Sequence, residues 1–247
     1  MKFTSRIITN QTIDLSDADF SEGEIILIDK PSGFTSFQVV NKIRKITGVK
    51  KVGHSGTLDP LASGLMIICS GKKTKEMDRF INLDKTYTGI IRLGLKSPSM
   101  DLETECSEYP LPKNLDEKKI LAVRDDFVGE VEQTPPMYSA VKINGKKLYH
   151  LARKGKSIER KPRKVFIEKF EIEKIDLPDI HFSITCSKGT YIRVIADDFG
   201  NKLNCGGILL KLRRTRIGEF QVKNAFSLDQ FSSHIFSSAK SPQQEIY

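Results

Sequence analysis

One carboxylate stands out for its setting. Asp59 lies in GHSGTLDPLASG, residues 53–64, where three glycines and a proline specify the backbone and His54 stands five residues ahead. A lone carboxylate can serve as general base, general acid or covalent nucleophile, and nothing local decides among these. Gly56, Pro60 and Gly64 would hold its oxygens in one place. Taken locally, the residues favour a structural role, with Asp59 capping a helical turn that begins at Pro60. SKGTYIR, residues 187–193, is the second candidate. If that segment is extended, Tyr191 and Arg193 point to one side and offer a ring and a guanidinium to one cavity; a core tyrosine beside a surface arginine fits as well. Tyr87 in KTYTG reads as packing or as function. LKLRRTRIG, residues 210–218, puts Arg214 and Arg216 on one strand face with Leu212, and Lys211 and Arg213 on the other. A solvated strand face explains that row as well as RNA contact does.

The elements that must position these residues can be read from periodicity and punctuation. EIILIDKPSG is a short buried strand running into a Lys-Pro turn at Gly33. An amphipathic helix follows, with Thr35 or Ser36 as its cap and Gly48 as its end. Phe37, Val40, Ile43 and Ile46 form its core stripe, and Lys42, Arg44 and Lys45 face outward. After the Asp59 loop, GLMIICSG reads as a buried strand, KKTKEMDRFIN as a helix and KTYTGIIRLG as a strand. Further on come a short helix near Asp116–Asp126, a hairpin turned at Asn144-Gly145 and a helix from about Lys147. Strands follow at Val165–Ile175 and His181–Ser187, then a helix with Ile192, Ile195 and Phe199 inward, and a last strand. Strands and helices intermix without a strict β-α-β rhythm, so the class is α+β. No linker divides the chain, and a Ser/Gln-rich tail is expected to fray from about Ser232.

Composition bounds the partner. The 247 residues carry 40 Lys+Arg against 31 Asp+Glu, a net charge of +9, as nucleic-acid binders do. The excess concentrates in RKGKSIERKPRK, residues 153–164, which holds seven basic residues against Glu159. With few aromatics interleaved, it reads as a clamp for phosphates rather than a base-stacking platform. Apolar runs are strand-sized, so no membrane span is expected. The four cysteines and four histidines show no metal-ligand spacing, and the cysteines fit a reducing cytoplasm.

Taken together, the stretches GHSGTLDPLASGLMIICSGKKTK, DKTYTGIIRLG, PPMYSAVKINGKKLYHLARKG, SKGTYIRVIADDFGNKL and LKLRRTRIG resemble, in order, the bacterial tRNA pseudouridine synthase B family. LIDKPSGFTS is similar to its opening segment. The likeness spans about residues 24–218 and favours function over capping for Asp59. It implies a pseudouridine synthase fold, with a mixed, mostly antiparallel central sheet flanked by helices and loops. It also implies isomerisation of uridine-55 in the tRNA T loop, the base being flipped into a pocket, with neither cofactor nor metal. Asp59 becomes the catalytic aspartate, with Arg193 holding it ionised. Tyr87 would stack on the uracil, Tyr191 and Leu212 would line its pocket, and His54 would meet the RNA where the nucleotide leaves its stack.

The resemblance further implies a cytoplasmic monomer whose partner is the tRNA T-arm, with no membrane or protein partner. Residues 1–231 would form the catalytic domain, about 127–164 a basic insertion that contacts the T-arm, and 232–247 a tail too short for a full C-terminal RNA-binding domain. LKSPSMDLETECSE departs from the family's usual turn after RLG, which leaves that turn's geometry open. A tRNA-binding protein without catalysis, or a synthase acting on another RNA, are the alternatives. Thr57-Leu58-Asp59-Pro60, in place of the Arg-Leu-Asp loop of ribosomal RNA synthases, favours tRNA.

Overall fold

The computed structural model describes residues 6–143 and 145–238, with the backbone alone at 146, 147 and 238. In chain order the elements begin with β1 (Ile7–Ile8), β2 (Ile25–Lys30), α1 (Ser36–Thr47), β3 (Val52–His54), β4 (Ser63–Ser70) and α2 (Met77–Ile81). Next come β5 (Lys85–Leu93), β6 (Leu95–Lys96), β7 (Ser107–Glu108), α3 (Glu117–Asp125), β8 (Gly129–Gln133), β9 (Lys142–Ile143), β10 (Lys146–Lys147) and α4 (Leu148–Ala152). The last are β11 (Arg163–Asp176), β12 (Asp179–Cys186), α5 (Ile192–Lys202), β13 (Gly207–Ile217), β14 (Phe220–Gln221), β15 (Phe226–Ser227) and α6 (Leu228–Ser238). The α+β expectation holds. The hairpin is present as the antiparallel pair β9–β10; Asn144 of its turn lies outside the described residues.

Two compact units share these elements: Met1–Leu83 with Arg213–Tyr247, and Asp84–Leu212. No linker marks the division because one crossing falls just before β5 and the other falls inside β13.

In the first unit, β2 and β4 pair antiparallel from Ile25 opposite Cys69 to Lys30 opposite Gly64. β3 lies antiparallel to β4, while the end of β13 joins β4 in parallel at Arg213 and Arg214. Both faces of β2 and β4 are covered, which is why IILI and LMIIC are continuous apolar runs rather than alternating ones. One face packs Ile25, Leu27, Leu65, Ile67 and Cys69 on Phe80, Ile217 and Phe220. Helix α1 is capped by Thr35, whose hydroxyl accepts from the Gln38 N–H, and ends at Gly48 in the left-handed region (φ 71°). Its buried stripe is Ser36, Val39, Val40 and Ile43. Phe37, expected in that stripe, is 64% exposed. A strict three-residue repeat drifts by about 60° per step around a helix, so Phe37 falls about 120° from Ile43 and off the face that Ser36, Val39 and Val40 share.

The expected tail also differs. Residues 232–238 lie in α6, where Leu228 and Phe231 are buried and Phe231 meets Phe20 and Phe226 edge-on. These apolar anchors fold a polar stretch that its Ser content alone does not explain. Residues 239–247 lie outside the described range.

In the second unit the sheet runs β13, β5, β12, β11, β8. The long β11–β12 hairpin pairs with β5 on one side and β8 on the other. Phe127, Phe170, Phe182 and Phe199 form a ring cluster with centroid separations of 5.8–6.2 Å, placing α5 against the sheet.

Candidate active site

The Asp59 loop is held from behind by residues distant in sequence, and nearly all the bonds end on its backbone. The buried Lys30 ammonium donates to the carbonyls of Pro31, Phe34 and Pro60 at 3.0, 2.6 and 3.3 Å. The Gly33 N–H also reaches the Pro60 carbonyl, at 2.8 Å. Ser36 Oγ donates to the Leu58 carbonyl and accepts from the Leu58 N–H, at 3.0 and 2.9 Å. Ser32 Oγ donates to the Leu61 carbonyl at 2.8 Å. Burial pulls the Lys30 ammonium down to about 8, against the opposing pull of the Asp59 charge. Asp59 itself is half-buried, and its carbonyl accepts from the Ala62 N–H at 3.1 Å. That bond closes a β-turn over residues 59–62, not the first turn of a helix, so the capping role is set aside.

Arg214 completes the mooring. Its guanidinium is 1% exposed; Nε donates to the Leu65 carbonyl at 2.7 Å and Nη2 to the Gly56 carbonyl at 3.1 Å. Neither a solvated strand face nor an RNA-facing residue describes it. Gly64 makes the approach possible: at φ +112°, a Cβ there would stand 2.3 Å from the Arg214 carbonyl oxygen. Arg213, on the opposite face, pairs with Asp29 at 2.6 and 3.1 Å. His54 ends β3 with its Nδ1 accepting from the Gly56 N–H at 3.2 Å. Burial, with the Arg214 charge adding to it, holds the imidazole below its ordinary pKa. A neutral ring that accepts at Nδ1 carries its proton on Nε2, where it can donate to a ligand.

The second unit places Tyr191, Arg193, Tyr87 and Leu212. Tyr191 is the extended N-cap of α5 (φ −96°, ψ 105°), and Arg193 already belongs to the helix. The shared-side geometry expected of an extended segment is therefore not the one found. Gln133 grips the Tyr191 backbone twice: Oε1 accepts from the Tyr191 N–H at 2.9 Å, and Nε2 donates to its carbonyl at 3.2 Å. Across the strand pair, Arg163 stands opposite Gln133, lies 5.0 Å from the Tyr191 ring centroid and donates to the Gly189 carbonyl. Arg193 is buried, donating to the carbonyls of Ser99 and Tyr138 at 2.9 Å each, with Nε 3.6 Å from Asp101 Oδ2. LKSPSMDLETECSE is thus a built turn: Ser97 and Ser99 donate to the Asp101 carbonyl, and Ser99 contacts Thr104. Tyr87 is buried on β5 opposite Ile184, and Leu212 is half-buried on β13.

Gln133→Leu is expected to lower stability by about 1–3 kcal/mol by leaving the Tyr191 backbone groups without their partners. An unchanged denaturant midpoint would show that those bonds are replaceable by water.

Two of the buried cysteines are poor nucleophiles. Burial pushes the Cys69 and Cys186 thiols up to about 12, so neither offers a thiolate near neutral pH. Among the described residues no group of three or more His, Cys, Asp or Glu side chains could hold a metal ion, and no helix is long and apolar enough to cross a membrane.

The model of the TruB family pseudouridylate synthase N-terminal domain matches residues 44–192, and that of the tRNA pseudouridylate synthase B C-terminal domain matches 193–246. The chain belongs to the TruB family of pseudouridylate synthases. The tRNA pseudouridine synthase B of Flavobacterium johnsoniae is 44% identical over 228 residues, covering 90% of this chain and all of that one. Its counterpart in Chlorobaculum tepidum is 49% identical over 225 residues, covering 88% and 93%. Among solved structures, one chain of a Cbf5-Nop10-Gar1 complex superposes with a TM-score of 0.72 at 26% identity over 96% of this chain, which spans 63% of that one.

Within this TruB-family chain, Lys30, Ser36, Gln133 and Arg214 escape a reading of the sequence. Lys30 and Arg214 sit in apolar or basic runs and Ser36 and Gln133 in ordinary polar surroundings, and only their burial reveals them. The one available signal was a lysine closing an otherwise buried strand, in IILIDK.

Proposed function

We propose that this chain isomerises uridine-55 in the T loop of tRNA to pseudouridine. The near-full-length likeness to tRNA pseudouridine synthase B carries the reading, and the moored carboxylate of Asp59 supplies a chemistry that suits it. The glycosidic C–N bond breaks, the uracil turns, and a C–C bond joins it to the same ribose carbon. The proton on that ring carbon leaves and the freed ring nitrogen regains one, so the reaction is balanced without a co-reactant. Asp59 is the catalytic residue, acting as nucleophile or as proton acceptor beside the sugar–base junction. His54, Tyr87, Tyr191, Arg193 and Leu212 are the substrate-binding residues, and the neutral His54 ring donates to the displaced RNA.

Base flipping costs a few kcal/mol, which stacking and backbone contacts offset. The exposed lysines of the 153–164 segment, Lys154, Lys156 and Lys161 among them, serve the T-arm phosphates. In this reading residues 1–231 act together as the catalytic domain of a cytoplasmic monomer. An unmodified tRNA transcript incubated with the purified chain should gain pseudouridine at position 55, and a transcript with cytidine there should gain none. Modification at other uridines with position 55 untouched would assign the enzyme to a different RNA site.

A further inference from the structure

The exposed apolar residues nearest Asp59 are aromatic or large aliphatic, and no fold requirement accounts for them. Phe34 is 38%, Phe37 64% and Leu61 43% exposed. All three belong to the same joint. The Lys30 ammonium binds the Phe34 and Pro60 carbonyls together, and Ser32 holds the Leu61 carbonyl. Phe37 follows two residues after the N-cap Thr35, at the end of α1 that meets this joint. The patch therefore adjoins the loop that carries Asp59, within a single compact unit.

Its electrostatic setting identifies the occupant. Residues 30–58 contain Lys30, Lys42, Arg44, Lys45, Lys50 and Lys51 and not one acidic residue. Lys45, Lys50 and Lys51 are exposed. Asp229 pairs with Lys42 at 3.0 Å, yet this stretch itself brings only basic charge. Exposed aromatic rings beside it suit a polyanion that carries flat apolar groups, which describes unpaired RNA. A protein partner of ordinary composition would bring no such need for an excess of positive charge.

We propose that Phe37, with Phe34 and Leu61 beside it, is a stacking platform for an unpaired base next to the nucleotide presented to Asp59. This rests on the RNA-modifying reading above and deepens it. The platform holds the neighbouring base after it loses its own stacking partner, which lowers the cost of extruding the target.

The test pairs steady-state kinetics on the unmodified transcript with fluorescence of 2-aminopurine placed at each loop nucleotide flanking position 55. Phe37→Ala should raise KM by about tenfold with kcat within about twofold of wild type. Phe34→Ala/Phe37→Ala should raise it further. Phe37→Trp should restore KM and Phe37→Leu should not, because a leucine has no face to stack on. One flanking 2-aminopurine should be quenched on binding by wild type and by Phe37→Trp, and not by Phe37→Ala. Because the ring is exposed, the thermal midpoint should not move. A KM for Phe37→Ala within twofold of wild type overturns the platform. So does full restoration by Phe37→Leu. A dimer in wild type that Phe37→Ala converts to monomer would assign the patch to a second copy of the chain instead. If wild type makes no pseudouridine at position 55, the proposed reaction fails, yet the quenching pattern still decides whether a base stacks on Phe37.

Discussion

Asp59→Asn is expected to abolish pseudouridine formation, by about 10⁴-fold or more in kcat, while RNA binding stays within a few-fold of wild type. Asparagine has nearly the same shape, so it can occupy the β-turn whose closing bond comes from the residue 59 carbonyl. What it lacks is an ionisable oxygen, and with it any capacity to attack the sugar or take a proton. Single-turnover assays with enzyme in excess isolate the chemical step from binding and release. Equilibrium binding of the same transcript then shows whether the site survives. Turnover by the Asn variant at even a tenth of the wild-type rate would remove Asp59 from the chemistry and return it to the role of a loop residue.

The second large effect is on the scaffold. Arg214→Met should cost about 3 kcal/mol of stability and lower activity by more than that loss explains. The guanidinium is almost wholly buried and donates to two main-chain carbonyls, Leu65 on β4 and Gly56 in the loop. Hydrogen bonds from a charged donor contribute about 1.5–3 kcal/mol each, and methionine removes this donor from the buried Leu65 carbonyl and from the half-buried Gly56 carbonyl. Removing a buried, desolvated cation returns part of that cost, which keeps the net below the sum of the two bonds. Activity suffers further because Gly56 loses one anchor of the segment between His54 and Asp59. Arg214→Lys should recover the charge but reach only one carbonyl, giving an intermediate midpoint. Denaturant unfolding alongside kcat/KM separates the two contributions. Equal stability in all three proteins would mean that the loop is held without Arg214.

How much of this was legible beforehand depends on what kind of signal each residue leaves. Elements with strong periodicity or flanking punctuation were read nearly to their ends: α1 between Thr35 and Gly48, α5 from Ile192, and the long strands around 165–175 and 181–187. Phe37 falls off the core stripe because a three-residue repeat drifts by about 60° per step on a helix of 3.6 residues per turn, so its ends cannot share one face. Arg214 was misread because an alternating basic strand looks the same whether its cations meet water or carbonyls; burial alone separates the cases. The tail was mistaken for a frayed end because its ordering depends on two apolar side chains, Leu228 and Phe231, among serines. For the site, Asp59 and Tyr191 were visible through unusual local sequence, whereas Gln133 sits in an ordinary polar strand and announces nothing.

The bonds around Asp59 have a practical meaning for anyone moving this loop between proteins. Its moorings end on main-chain atoms of residues 56, 58, 60 and 61, and they originate at Lys30, Ser32, Gly33, Ser36 and Arg214. A transplant of the twelve-residue stretch alone would carry the acid and leave its fastenings behind. Conversely, residues such as the exposed Thr57 can be exchanged freely as far as these fastenings are concerned, since none of them touches its side chain. The portable unit is the discontinuous one, three separate stretches of chain taken together, and a library built on this scaffold should vary the loop's side chains while leaving those five distant residues alone.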